Sequence, residues 1–256
     1  MDATVCWKNL TWPPILHIGI LSIGTLISFV VAYSKGDVSA YLPFISETGA
    51  VVPEMCIFSL CLILGSFVGA IVICYRHLIM TYFLKAADAK LQKLNHFGFA
   101  IGLISMAGLA GVAAFPFQKF QMSTVLWAHL LAAGIHFTLA MLYVFLQTFI
   151  SYRTPGIPIH LCRLRLALSI VLLNFLFLLV IFFPLSQFRW NKINSHVPAL
   201  KVPEDQVFGI MFCSSLFEWI LYTSFLVYML TFSIEFRNFH LLISVVPSEP
   251  KPVPVS

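Results

Sequence analysis

Apolar residues in this chain gather into six unbroken runs, at Ile15–Tyr33, Met55–Tyr75, Phe97–Phe115, Thr124–Phe149, Leu164–Gln187 and Val207–Phe232. Each is 19 to 26 residues long, and a helix needs about 20 apolar residues to cross a hydrocarbon core of about 30 Å. The runs are continuous and lack the two-residue alternation of a barrel strand. A bilayer offers no partners for free backbone groups, so such runs must be helices. The pattern predicts an all-α integral membrane protein with six transmembrane helices in one bundle over residues 1–240. Four prolines within Pro247–Ser256 predict a disordered, Pro-rich tail over 241–256.

The first run reads as a signal anchor. Its apolar length exceeds the core of a cleaved signal peptide, and only Lys8 precedes it as a cation. Trp7, Trp12 and Pro13-Pro14 suit an interfacial helix start.

Charge then orients the bundle. With six spans, both termini share a side with the 76–96 and 150–163 loops. That side carries ten Lys and Arg: Lys8, Arg76, Lys85, Lys90, Lys93, Arg153, Arg163, Arg165, Arg237 and Lys251. The opposite side carries five: Lys35, Lys119, Arg189, Lys192 and Lys201. The excess predicts cytosolic termini, and an unused glycosylation sequon at Asn9-Leu10-Thr11.

Composition narrows the function classes. Charged residues are 10% of the chain and hydrophobic ones 60%, against about 25% charged in a soluble domain. No stretch outside the runs exceeds 24 residues, too little for a soluble domain with its own core. Function must lie in the bundle, its loops or recruited partners. The net charge of +5 is spread over membrane-flanking loops and implies no nucleic-acid partner. Phosphate-loop, dinucleotide and nucleophile-elbow motifs are missing, so no enzyme or cofactor is expected.

Cysteines and glycines fill in the packing. Cys56, Cys61, Cys74 and Cys213 fall in spans and read as small hydrophobic packing residues. None of the six cysteines lies in a predicted exoplasmic loop, so no structural disulfide is expected. Cys6 and Cys162 lie on the cytosolic side and are candidate palmitoylation sites. Gly65-xxx-Gly69 and Gly98-xxx-Gly102, with Gly108 and Gly111, form ridges for close helix approach.

Candidate chemistry rests on residues that are costly to insert. Glu218 lies eleven residues into the sixth run, near the expected midplane, where a carboxylate costs about 2.5–3.5 kcal/mol on insertion scales. His136 and Asn174 fall at similar depth in the fourth and fifth runs, and His129 shares a helical face with His136 about 10 Å away. These four form a candidate intramembrane polar layer. It reads either as interhelical hydrogen bonding that fixes register or as a proton, ion or lipid-headgroup site. The two histidines are too far apart to share one ion, and no metal site is expected.

The most distinctive loop is Tyr41–Ser59. It contains Pro43, Ser46, Glu47 and Gly49, followed by Pro53-Glu54. Pro43 favours an extended entry, and Ser46 to Gly49 can turn. Pro53-Glu54 suits a helix N-terminus. The residues alone read as a capped helix with an ordered loop.

This stretch, Pro43-Phe44-Ile45-Ser46-Glu47-Thr48-Gly49…Pro53-Glu54…Phe58, resembles the first-loop signature of the damage-regulated autophagy modulator (DRAM) family, whose usual form is P-x-I-S-D-T-G followed by P-E. The resemblance continues at Phe117-Gln118, His129, Ser151-Tyr152, Arg165, Trp190-Asn191, Glu218-Trp219 and Leu230-Thr231-Phe232…Phe236. It spans almost the whole chain in order. Departures are Glu47 for Asp, Pro116 for Asn before Phe-Gln, Tyr75-Arg76 for Arg-Tyr, and Met211 where the closest members carry His. The resemblance favours His129 over His136 as the position to carry over.

The resemblance implies a six-span protein of lysosomal, late endosomal or other endomembranes that promotes macroautophagy, sometimes linked to stress-induced cell death, with no known catalysis. Its implied partners are membrane lipids and autophagy or lipid-kinase proteins met by the cytosolic loops. More distant branches act in GPI-lipid remodelling or at the plasma membrane, and they supply the alternative of a lipid- or ion-handling protein. Tyr75-Arg76-His77-Leu78 has the form of a tyrosine sorting signal, although its position against the membrane reads as a helix end.

Overall fold

A computed structural model describes residues 3–84, 89–117 and 124–245. Six helices within it are long and apolar enough to cross a membrane. They are α1 (Trp12–Ser34), α2 (Glu54–Leu84), α3 (Ala89–Ala114), α4 (Thr124–Arg153), α5 (Ile159–Ile193) and α6 (Phe208–Leu230). The sixth span extends through a one-turn helix, α7 (Ser233–Phe236). Strands β1 (Ala3–Lys8) and β2 (His240–Val245) pair antiparallel, so the first and last described segments lie on one side of the bundle. We call that the termini side and its opposite the loop side.

Several helices outrun their apolar cores. At about 1.5 Å per residue the 35 residues of α5 measure about 52 Å, well beyond the hydrocarbon. The sequence bounds α5 at 164–187 because apolar character stops there, whereas the backbone ladder continues into the polar flanks. Likewise α2 continues nine residues past Tyr75, and α3 starts eight before Phe97.

Ends follow local chemistry. Pro13 and Pro14 occupy the first turn of α1, where an amide donor is not needed. At its other end Gly36, at φ 76°, lets Asp37 N–H reach Ala32 O while its own N–H reaches Tyr33 O, a Schellman stop. The sequon residue Asn9 uses its side-chain oxygen to accept from Thr11 N–H just before α1.

Successive helices pack in sequence, and α1 against α6 closes the ring. The tightest seam is α3 on α4. A Cβ on Gly108 would sit 2.9 Å from His136 N and 3.0 Å from Ala132 O, so only glycine fits there. The main core, including Ile73, Met80, Tyr143, Val144, Tyr228 and Phe232, fills the termini half. In α5 only 11% of the most apolar stretch is buried, against 33–44% in the other spans, which places α5 at the bundle edge.

The tail expectation needs one correction. Residues 241–245 belong to β2, because backbone pairing with Ala3–Trp7 gives them partners. Lys85, Gln118, Lys119, Lys251 and Pro247–Ser256 lie outside the described residues.

Candidate functional site

Two carboxylates on the sixth span organise the polar interior, Glu218 midway along α6 and Glu235 at the termini end. On the loop side, the segment after α1 folds back into the mouth of the bundle. There Ile45–Gly49 makes a short 3-10 helix. The Glu47 carboxylate accepts from Phe44 N–H at 2.8 Å, and Thr48 Oγ1 donates to Ile45 O at 2.6 Å, so the turn holds itself. Glu218 Oε2 then accepts from Ile45 N–H at 2.7 Å, and Trp219 Nε1 donates to Pro43 O at 2.8 Å. Adjacent residues of α6 thus hold the two ends of one tripeptide. That is why Glu218-Trp219 and Pro43…Ile45 function as one feature despite 173 residues between Ile45 and Glu218.

Around this latch, Gly49 abuts the Phe58 side chain and Ser46 faces a chamber described below. Pro53 is exposed, and Glu54, which opens α2, is fully buried. Lys35 reaches Glu54 at 3.3 Å and Asp37 at 3.1 Å and donates to Val52 O at 2.7 Å, tying the end of α1 to the start of α2. Its hydrogen bond to Asp37 holds the Lys35 amine above its usual range, with Glu54 adding to the effect. Lys201, in the loop before α6, is fully buried, with its Nζ 5.9 Å from the centroid of the Phe44 ring. Burial pushes the Lys201 amine below its usual range, opposed by the carboxylates of Glu47 and Glu218.

Beneath the latch lies a chamber of about 370 Å³ bounded by the loop, α2, α3, α4, α5 and α6. Glu218, His129 and His136 all line it. His129 Nδ1 lies 2.7 Å from Phe115 O, and His136 Nδ1 lies 3.0 Å from Ser105 O. A carbonyl only accepts, so both Nδ1 atoms carry hydrogen, which in the neutral ring leaves each Nε2 with its lone pair.

On the termini side, Glu235 of α7 receives two guanidiniums. Arg165 is bidentate to it, Nη1 to Oε1 at 3.1 Å and Nη2 to Oε2 at 2.9 Å, and Arg76 Nη1 donates to Oε2 at 2.6 Å. The other guanidinium nitrogens also make bonds: Arg76 meets Gln147 and Ser151, and Arg165 meets Ser151 and Thr231, all between 2.9 and 3.4 Å. The Phe232 ring lies 4.8 Å from one guanidinium carbon and 4.9 Å from the other. Both arginines are fully buried, and together this cluster joins α2, α4, α5, α6 and α7.

Placement of the sequence-derived residues is mixed. His129, His136 and Glu218 share the chamber, but His136 bonds Ser105 rather than Glu218, since α3 passes closer to it than α6 does at that level. Asn174 does not join them; it lies on the exposed face of α5, and the polar layer loses that member. Seventeen residues separate Glu218 from Glu235, about 25 Å of helical rise, so the two carboxylates sit at well-separated levels of the span. Cys162 is 1% exposed in the first turn of α5 and is closed to acylation, whereas Cys6 is exposed on β1. Tyr75 and Arg76 are buried inside α2, which removes the helix-end and sorting readings.

The Arg76–Glu235–Arg165 cluster and Lys201 were not expected from the sequence. Each cluster member sits at the edge of an apolar run, Arg76 and Glu235 just past one and Arg165 as the second residue of another, and reads there as a flanking charge. The available signal was pairing: two cations and one acid at the same end of three runs.

The match to known proteins can now be placed on this geometry. Residues 9–239 match the family profile described as Frag1/DRAM/Sfk1/Cwh43P N-terminal domain. The chain belongs to this family. The mouse DNA damage-regulated autophagy modulator protein 1 is 26% identical over 242 residues, covering 93% of this chain and 95% of the relative. The human modulator protein 2 is 33% identical over 132 residues, covering 52% and 47%. Transmembrane protein 150A of Xenopus laevis is 29% identical over 199 residues, covering 77% and 62%. No solved structure matches the chain. Within this family frame, the matched stretch includes the loop latch, the chamber and the Arg76–Glu235–Arg165 cluster, so all three lie inside the family domain.

Proposed function

We propose that this chain is a non-enzymatic modulator of autophagy in lysosomal, late endosomal or other endomembranes. The carrying observation is the extent of similarity to a relative named as an autophagy modulator: 242 residues and over nine-tenths of both chains. The interior also favours a scaffold over a catalyst. Its strongest polar cluster is a buried joint, two guanidiniums on one carboxylate, that ties helices together. In this reading the termini side faces the cytosol, in keeping with the ten-to-five division of Lys and Arg. It meets autophagy or lipid-kinase partners through the surface around β1 and β2, where Trp7, Leu242 and Ile243 are exposed.

The test is autophagic flux in cells lacking the chain, with a tagged copy restored at native expression. Flux should fall on deletion and return with the wild type, and the tag should overlap a lysosomal marker. Unchanged flux under starvation and DNA damage sinks the reading.

A further inference from the structure

The chamber beneath the loop latch opens sideways into the lipid phase. Its wall includes Gly134 and Thr138 of α4 and Val180 of α5, all exposed on the outer surface of the bundle, with Val180 64% exposed. The opening lies between α4 and α5, which meet less closely than α5 and α6 do. A molecule dissolved in the bilayer can therefore enter without crossing the loop.

Beside the hydroxyls of Ser46, Thr138 and Tyr222, the lining carries one acid and two imidazoles. Glu218 Oε2 is held by Ile45 N–H, and the other carboxylate oxygen takes no hydrogen bond among the described residues. His129 and His136 present Nε2 lone pairs by the tautomer argument above. Pro184 lines the same wall and has no amide hydrogen, so the Val180 carbonyl lacks its usual helical donor. The chamber thus supplies acceptors and an acid, and wants a donor that carries positive charge. A phosphate headgroup would meet the Glu218 carboxylate with like charge, and Lys201, the cation near Glu218, is not among the residues that line the chamber. The remaining lining is mostly apolar, suited to an alkyl chain. Its volume is at the lower end of small-ligand sites, about 300–1,000 Å³.

We propose that the chamber binds a single-chain amphiphile with an amine headgroup, its chain between α4 and α5 and its ammonium on Glu218. This site is independent of the autophagy reading.

The test uses the full chain reconstituted in phosphatidylcholine vesicles. Two photoactivatable C18 probes differ only in the headgroup, one a primary amine and one a carboxylic acid. The amine probe should label peptides of α4 and α5 at the opening, and unlabelled sphingosine should compete. The acid probe should label them about tenfold less, the factor that one charge-assisted contact is worth. Glu218→Gln keeps an acceptor for Ile45 N–H and should bring amine labelling down to the acid level. Gly134→Trp should block labelling by both probes; a Cβ there meets nothing within 4 Å, so the backbone has room for a side chain to start. Leu131→Trp, on the exposed face outside the chamber, should label as wild type does. Equal labelling by the two probes, or wild-type labelling of Gly134→Trp, overturns the proposal.

Discussion

Glu218 and Glu235 sit on the same transmembrane span, yet they are kept in opposite ways. Glu235 is surrounded by two guanidiniums that also bond side chains from α4 and Thr231. Glu218 is held by a single backbone amide and otherwise borders a chamber that opens to lipid. The first arrangement fastens five helices; the second fastens one loop and leaves an oxygen unused. A buried acid is therefore not one kind of feature. Closed and over-supplied with donors, it is a rivet; half-satisfied and facing a cavity, it is a place for something else to bind.

The comparison can be broken most directly at the rivet. Glu235→Leu leaves two buried guanidiniums facing each other without an anion and should cost about 3–5 kcal/mol, the usual penalty for orphaning a buried charge. Denaturant unfolding in detergent micelles reads this. Glu218→Leu should cost less, about 1–3 kcal/mol, for one unpaired amide. Its effect should localise, with faster amide hydrogen exchange over Phe44–Gly49 and little change around Ser151. Equal global losses from the two substitutions would end the distinction.

Gly108→Val tests the wall between the sites. Its side chain would press on the backbone of His136 and Ala132, and overpacking of this kind costs about 1–3 kcal/mol. The expected sign is a lower midpoint together with altered amine-probe labelling, because His136 moves with its helix.

The smallest effect concerns pH. Lys201 binds its proton less tightly folded than unfolded, because burial lowers its folded value below the unfolded one near 10.5. Unfolding therefore takes up protons in the interval between the two values, and stability climbs as pH rises through it. Unfolding measured from pH 7 to 10.5 should show that climb in the wild type and a flatter line in Lys201→Met.

The runs of apolar residues announced six spans because lipid accepts little else, and that inference required only local counting. The same counting misplaced the helix ends, since polar turns such as Gln187–Ile193 continue a ladder that hydropathy does not register. The first-loop motif was legible as a motif. Its reason was not, because the acceptor for Ile45 N–H comes from α6. Asn174 shows the limit of depth arguments: matched height along a helix says nothing about rotation, and α5 turns that residue outward. Arg76 was hidden for a different reason. A charge at the end of an apolar run looks wet until the partner that dries it, here Glu235, is brought beside it by the ring closing.

The pairing of Ala3–Lys8 with His240–Val245 has a mechanical corollary. A lone two-strand ribbon is barely stable in water, so this clasp must borrow its strength from the neighbours beneath it, where Leu10 is anchored among Phe239 and Leu241. The polypeptide becomes a belt with its buckle on one side. To spread the first and last spans, a force has to undo the buckle before it strains any membrane-embedded seam.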